Sequence, residues 1–487
     1  MTAVCVMVLG TSSGAGKSWV TTALCRHYAR LGLKVAPFKA QNMSNNARVV
    51  AGLHGSEGEI GSAQYFQALA ACCEPHVHMN PVLLKPEADT KSQVVVLGQV
   101  DMALSKTPWR ERSAQVWPHI MASLDALRAD HDVVVIEGAG SPAEINLHAS
   151  DIVNMRVAVH AQARCLLVAD IDRGGAFAHL YGTWALLPIE ERALIRGFVL
   201  NKFRGDAALL APAPELLQQL TGVPTVATLP MWFQHCLPGE DGVFDDRSRS
   251  TGRVHITIAV LAFPRISNLD EFQPLKNIPG VRLVWARTPA DCAGADWIIL
   301  PGSKHTTADL AWLREQGLDQ TVAEHAEQGK PVLGICGGLQ MLGEAMVDAH
   351  GIDGNAPGLG LLPLVTCFEP DKTVRRTTLL FGAVQGPWTA LAQQLVNGYE
   401  IHHGQTAQHP ALAQAGQLAR EVLPGLGWQN TAGNVLGVYV HGLFEDGAVL
   451  AALFGAQAPT LESVFNGLAD FLEQHVQPGV LSALIEP

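Results

Sequence analysis

Hydrophobic positions follow two alternating rhythms along the chain. Compact runs at residues 4–9 (VCVMVL), 133–136 (VVVI), 165–169 (CLLVA) and 197–200 (GFVL) are rich in β-branched residues and end in Gly or polar residues. Such runs predict strands buried on both faces of a parallel sheet. Between them, residues 18–31 and 114–128 carry helical patterns, which completes a βαβ rhythm and an α/β fold class. The rhythm breaks at residues 238–253 (PGEDGVFDDRSRSTGR), a polar stretch punctuated by Gly and Pro that reads as a linker. A second α/β series follows at 256–262, 282–285, 297–300, 332–334 and 435–440, and Val464, Leu468, Phe471 and Leu472 predict a helical tail. The expected organisation is therefore a first domain at 1–237, a linker at 238–253, a second domain at 254–450 and a tail at 451–487.

Composition narrows the function. With 487 residues, a single ordinary core is too small, which supports two domains. No apolar run reaches the roughly 18 residues of a membrane span. The first ten residues lack a basic region and a small-residue cleavage site, so they read as a buried strand, not a signal peptide. Nine scattered cysteines, an odd number with no zinc-type spacing, fit reduced thiols in the cytoplasm. The net charge of -12 argues against nucleic acid as a partner. No repeat or low-complexity tract is present; acidity is compatible with a small-molecule enzyme, and a homo-oligomer is left open.

Residues 10–18 (GTSSGAGKS) follow a predicted strand and open a predicted helix, the context that a phosphate-binding loop requires. Gly14 and Gly16 let backbone N–H groups face phosphate oxygens, Lys17 adds a fixed positive charge, and Ser18 is a Mg²⁺ ligand candidate. Thr11 stands where the common motif has its first glycine. The plainer alternative is a glycine-rich turn at an ordinary helix start. The shifted pattern resembles the dethiobiotin synthetase group of P-loop proteins, which phosphorylate a substrate carboxylate or carbamate. Glu137, at a strand end in VIEGAG, is then a second Mg²⁺ candidate, and Asn201 occupies the place of an adenine-reading residue.

Residues 331–343 (PVLGICGGLQMLG) read as a buried strand turning sharply into a helix, with Cys336 at the apex. That is the geometry of a nucleophile elbow, in which the helix start and a base make thiolate available. His441, at another strand end, is the candidate base. The backbone N–H groups around Gly302 and of Gly337 are candidates for an oxyanion hole. The arrangement resembles class I glutamine amidotransferases. Their carboxylate stands two residues after the His, where this chain has Leu443; Glu445 lies two residues further on. The departure resembles a branch of these enzymes that works with a Cys–His dyad, which implies no carboxylate partner for His441 and leaves open whether Glu445 assists it.

Residues 37–46 (PFKAQNMSNN), 57–68 (EGEIGSAQYFQA), 80–86 (NPVLLKP), 170–177 (DIDRGGAF), 201–206 (NKFRGD), 265–268 (RISN) and 398–404 (GYEIHHG) complete the pattern. In order and over essentially the whole chain, they resemble the cobyric acid synthases, in the cobyrinic/cobyric acid synthase branch of the class I amidotransferases. The resemblance implies ATP- and Mg²⁺-dependent amidation of the b, d, e and g carboxylates of adenosylcobyrinic acid a,c-diamide, with glutamine as ammonia donor and no tightly bound cofactor. Cobalt enters only within the corrinoid substrate. It also suggests that His402 and His403 line the glutaminase cleft. Lys39, Asn42 and Asp151 are substrate-side candidates; the bland alternative for Lys39 is a surface cation, and Trp109 and Trp117 read as core. The alternatives are the a,c-diamide synthases, distinguished by residues 37–46, and a P-loop switch ATPase with an inactive glutaminase-like module. The tail lacks the basic face that the switch reading needs.

Overall fold

The computed structural model describes residues 2–88, 91–233, 235–238, 252–455 and 458–486. Most of the stretch expected to be a linker, residues 239–251, lies outside them. The first half is built on six parallel strands in the order Thr225–Pro230, Ile195–Phe203, Arg164–Asp170, Val4–Gly10, Val133–Glu137 and Val35–Phe38. The four runs read as strands all fall here, in a sheet whose central strands are mostly buried because helices cover both faces. The helix Lys17–Arg30 follows the leading strand, and Trp109–Asp130 supplies the other long helical pattern.

The second half has seven strands, ordered Val281–Ala286, Ile256–Leu261, Trp297–Leu300, Val332–Ile335, Val435–Val438, Gly427–Gln429 and Arg420–Leu423. The first five are parallel, and the last two are added through antiparallel pairings. Loops at the strand ends carry the second candidate site, as expected of an open α/β sheet. No helix among the described residues is long and apolar enough to cross a membrane.

Several antiparallel elements are absent from the sequence reading. The strands Ala47–Ala51 and Glu57–Gly61 form a small hairpin on the first half. A long hairpin, Leu364–Leu380 with Leu395–Gln408, projects from the second half and packs against it. The junction is sealed by apolar contact of Ile401 with Ala47, Leu83 and Val95. It is registered by a reciprocal pair: Asn268 Oδ1 accepts from the Ala47 N–H at 2.9 Å, and Asn46 Oδ1 accepts from the Leu269 N–H at 3.1 Å.

The tail helix, Leu461–His475, returns to the first half. Val464, Phe465, Leu468 and Leu472 enter the same core as Val20, Leu24 and Tyr28 of the phosphate-loop helix. Arg26 pairs with Glu462, and Arg30 with Asp470 at 2.5 Å. Phe471 stacks on Trp232 and meets Trp19 edge-on. Leu468 is fully buried at this contact. Leu468→Ala should therefore destabilise the protein by about 3 kcal/mol, read in denaturant unfolding as an earlier loss of the first half.

Candidate active sites

The phosphate loop is braced from below. Lys17 is buried, and its Nζ lies 3.1 Å from the Ser12 carbonyl oxygen and 3.2 Å from that of Gly140. Gly16 has φ +104, and a Cβ there would lie 2.0 Å from Asn201 Nδ2, so only glycine fits. Asn201 Nδ2 donates to the Ala15 carbonyl at 2.9 Å, and Lys202 Nζ to that of Gly14 at 2.7 Å. Asn201 thus supports the loop itself. The Thr11 N–H donates to Val168 O, tying the loop to the neighbouring strand.

Glu137, only 1% exposed, gathers the other predicted residues of this site. Its Oε1 accepts from Ser18 Oγ at 2.9 Å and pairs with Lys39 Nζ at 2.9 Å, while Oε2 accepts from Gln67 Nε2 at 2.5 Å. A carboxylate and a hydroxyl beside a phosphate loop are hard oxygen donors, and that chemistry fits Mg²⁺ held jointly with nucleotide phosphates. Elsewhere among the described residues, no cluster of His, Cys, Asp or Glu could hold a metal ion, His402 and His403 included. Gln67 has a weak signature in the sequence, its spacing from Gln64 on one otherwise apolar helical turn. Asn42 Nδ2 donates to that Gln64 at 3.2 Å. Asp151 stands apart: its carboxylate accepts from the backbone N–H groups of Val153, Asn154 and Met155, and so caps the following helix.

The second site centres on Cys336, which has φ 51 and ψ -106. A non-glycine residue in that region is strained, and the turn persists because its surroundings determine it. A Cβ on Gly338 would fall 1.9 Å from Leu300 O, so the elbow can press against the neighbouring strand only with glycine there. Gly337 abuts Ser303, and Gly302 abuts the His441 ring, so the predicted oxyanion residues converge on the predicted pair. Cys336 Sγ donates to the Ile401 carbonyl at 3.7 Å, and its charge acts on His441, which is 1% exposed.

The expectation that His441 lacks a carboxylate partner is corrected. His441 Nδ1 lies 3.1 Å from Glu271 Oε1, and Glu271 Oε2 accepts from the Gly442 N–H at 3.0 Å. Glu271 sits on the turn Leu269–Phe272, in a part of the chain far from His441, so no local spacing announces it. Burial opposes charge on His441, but Glu271 and the Cys336 sulfur more than offset it and raise the imidazole well above its ordinary value. Glu445 is engaged elsewhere.

Its partner is Arg48, which crosses from the hairpin of the first half and is 1% exposed. The guanidinium hydrogen-bonds Tyr399 Oη, Asp270 Oδ2 and, at 2.5 Å, Glu445 Oε1. Tyr399 stacks on His441 with ring centroids 5.3 Å apart, and its backbone exchanges two hydrogen bonds with that of His441. The imidazole is therefore held by a carboxylate on one side and by an arginine-anchored aromatic ring on the other.

The geometry can be set beside known proteins. Residues 6–232 match the family described as CobQ/CobB/MinD/ParA nucleotide binding domain. Residues 257–449 match the CobB/CobQ-like glutamine amidotransferase domain. The cobyric acid synthase of Acidovorax ebreus (strain TPSY) is 74% identical, with 99% of both chains covered. That of Variovorax paradoxus (strain S110) is 72% identical over the whole of both chains. The Leptothrix cholodnii enzyme of the same name is 66% identical, covering 99% of this chain and 97% of its own.

Two outcomes follow. Glu271→Gln removes the carboxylate that raises His441, so the imidazolium should lose its proton at a pH lower by about one unit or more; histidine side-chain ¹H–¹⁵N spectra across a pH series would report the shift. Arg48→Met strands Asp270 and Glu445 in a dry site and should cost about 3 kcal/mol. Denaturant unfolding would measure that loss, with Arg48→Met/Asp270→Asn recovering part of it.

Proposed function

The chain belongs to the cobyric acid synthase family, and we propose on that premise a division of labour between its two sites. The protein is an ATP-dependent, glutamine-hydrolysing amidoligase of cobalamin biosynthesis. It converts the b, d, e and g carboxylates of adenosylcobyrinic acid a,c-diamide to amides, giving adenosylcobyric acid. The observation that carries this reading is the full-length likeness to synthases of that name, in a chain that joins a phosphate loop to a buried Cys–His–Glu constellation.

Carboxylate and ammonia do not condense in water because hydroxide leaves poorly, so the carboxylate must first be activated. In the first half, a substrate carboxylate oxygen attacks the γ-phosphorus of ATP, releasing ADP and forming an acyl phosphate. Lys17 and the loop N–H groups neutralise the transferring phosphoryl group, and Lys39, held by Glu137, stands ready to face the acyl phosphate. Ser18 and Glu137 would hold Mg²⁺, which supplies charge neutralisation on the phosphates.

In the second half, the Cys336 thiolate attacks the glutamine carboxamide, and the oxygen gathers negative charge near the N–H groups around Gly302 and of Gly337. His441 gives its proton to the departing nitrogen, leaving ammonia and a γ-glutamyl thioester. A water molecule then loses a proton to His441 and attacks the thioester, which frees glutamate and restores the thiolate. Glu271 keeps the ring oriented throughout. Ammonia attacks the acyl phosphate carbon and displaces phosphate.

Purified protein with ATP, Mg²⁺, glutamine and adenosylcobyrinic acid a,c-diamide should give successive amidations, followed by chromatography and mass spectrometry. Cys336→Ala should lose glutamine-driven turnover by at least about 10³-fold yet amidate with ammonium chloride. Lys17→Met should lose both. Reaction of un-amidated cobyrinic acid in place of the a,c-diamide would assign the protein to the a,c-diamide synthases, and an unchanged corrinoid with ATP hydrolysis would refute the amidoligase reading.

A further inference from the structure

The cavity that reaches Cys336 has a charge imbalance in its wall. It encloses about 220 Å³ and lies where the two halves meet, with Asn45 and Lys85 from the first and Lys304 and Lys372 from the second. Lys85, Lys304 and Lys372 have side chains only 4%, 13% and 10% exposed. They face two carboxylates. Glu59, fully buried, pairs with Lys85 at 2.7 Å and with Lys372, so both its oxygens are committed. Glu87 is shared between Lys304, at a loose 3.4 Å, and the exposed Lys91 at 3.1 Å. Asp353, which also lines the cavity, is offset by His305, whose proton it helps to hold, and it also accepts from the Thr306 and Thr307 N–H groups.

Excess positive charge away from water is costly unless an anion joins it. Burial, reinforced by Lys85, weakens the hold of Lys304 on its proton, and burial with the neighbouring lysines brings Lys372 down to about 7. The same wall carries one unsatisfied acceptor: Asn45 Oδ1 is buried without a hydrogen-bond partner among the described residues. Two cations and an acceptor around a small cavity are the complement of a carboxylate and an ammonium on one molecule. The volume is below the roughly 300 Å³ of sites for drug-sized ligands, which excludes a macrocycle and admits a free amino acid.

We propose that Lys304 and Lys372 receive the α-carboxylate of glutamine, and Asn45 Oδ1 its α-ammonium, so that the carboxamide is presented to Cys336. The inference rests on the glutamine-hydrolysing reading above. Its consequence is that the amino-acid seat is composite. Asn45 comes from the first half directly, and Lys372 is positioned through Glu59 and Gln93 of the first half. A second half on its own would retain Cys336, His441 and Glu271 yet lack part of the glutamine pocket, which ties hydrolysis to the presence of the synthetase half.

The test uses the full-length enzyme and compares glutamine with its α-amide, in which the carboxylate is neutral. Wild type should release ammonia from the side chain of the α-amide with kcat/KM about 10- to 100-fold below that for glutamine, the range of a charge-assisted contact. Lys304→Met and Lys372→Met should raise KM for glutamine by a similar factor and largely abolish the discrimination between the two compounds. Equal use of both compounds by wild type would overturn the proposal without any variant. So would an unchanged glutamine KM in both variants, or a rise in corrinoid KM in its place, which would assign the lysines to the corrin carboxylates. A wild-type enzyme that releases no glutamate from glutamine would instead refute the hydrolysing function itself, together with this inference.

Discussion

A guanidinium almost without water is the constraint around which the two halves are organised. Arg48 belongs by sequence to the first half, but Asp270, Glu445 and Tyr399 belong to the second. Its charge is tolerable only while those partners surround it, and theirs only while it is present. Asp270 is the neighbour of Glu271, and Tyr399 stacks on His441, so the interaction that joins the halves also fixes the His441 imidazole. The Asn46–Asn268 pair sets register at the same seam with directed hydrogen bonds, and Ile401 adds apolar contact. A hydrophobic seam alone would allow sliding; these polar contacts do not.

Both sites depend on placing reactive groups at strand ends and then restricting their freedom. At the phosphate loop, Asn201 and Lys202 rise from an adjacent strand to hold the carbonyls of Ala15 and Gly14. At the elbow, strain at Cys336 is sustained by close packing of Gly338 on Leu300. The tail helix reinforces the first site from behind, since it packs on the helix that begins at Lys17. The last segment of the chain thus stabilises the first, and the N-terminal unit is complete only when the C-terminus has folded onto it.

Much of the fold was legible because it is local. β-branched runs such as residues 133–136 have few alternatives to a central parallel strand, and the Gly-rich turns after residues 10 and 335 have few alternatives to a phosphate loop and an elbow. The side elements were not legible. The hairpin strands Ala47–Ala51 and Glu57–Gly61 mix Arg48 and Glu59 into an interface, and that breaks the alternation by which a half-exposed strand is recognised. Polar residues that are buried only because another domain covers them read, in sequence, like surface residues.

The same division holds at the sites. Cys336, His441 and Glu137 announce themselves as candidates because each sits at or just past the end of a recognisable strand, and Lys17 because it opens the helix after a glycine-rich loop. The sequence by itself determined the α/β class and the family resemblance and marked these residues as candidates, since all are written in short-range patterns. Only the tertiary structure decided that Glu271 partners His441, that Glu445 is drawn to Arg48, that Asp151 caps a helix, and that lysines from two halves share one cavity. Those are pairings between distant segments, set by how two sheets and a returning tail pack; spacing along the chain carries no information about which distant carboxylate a buried cation will meet.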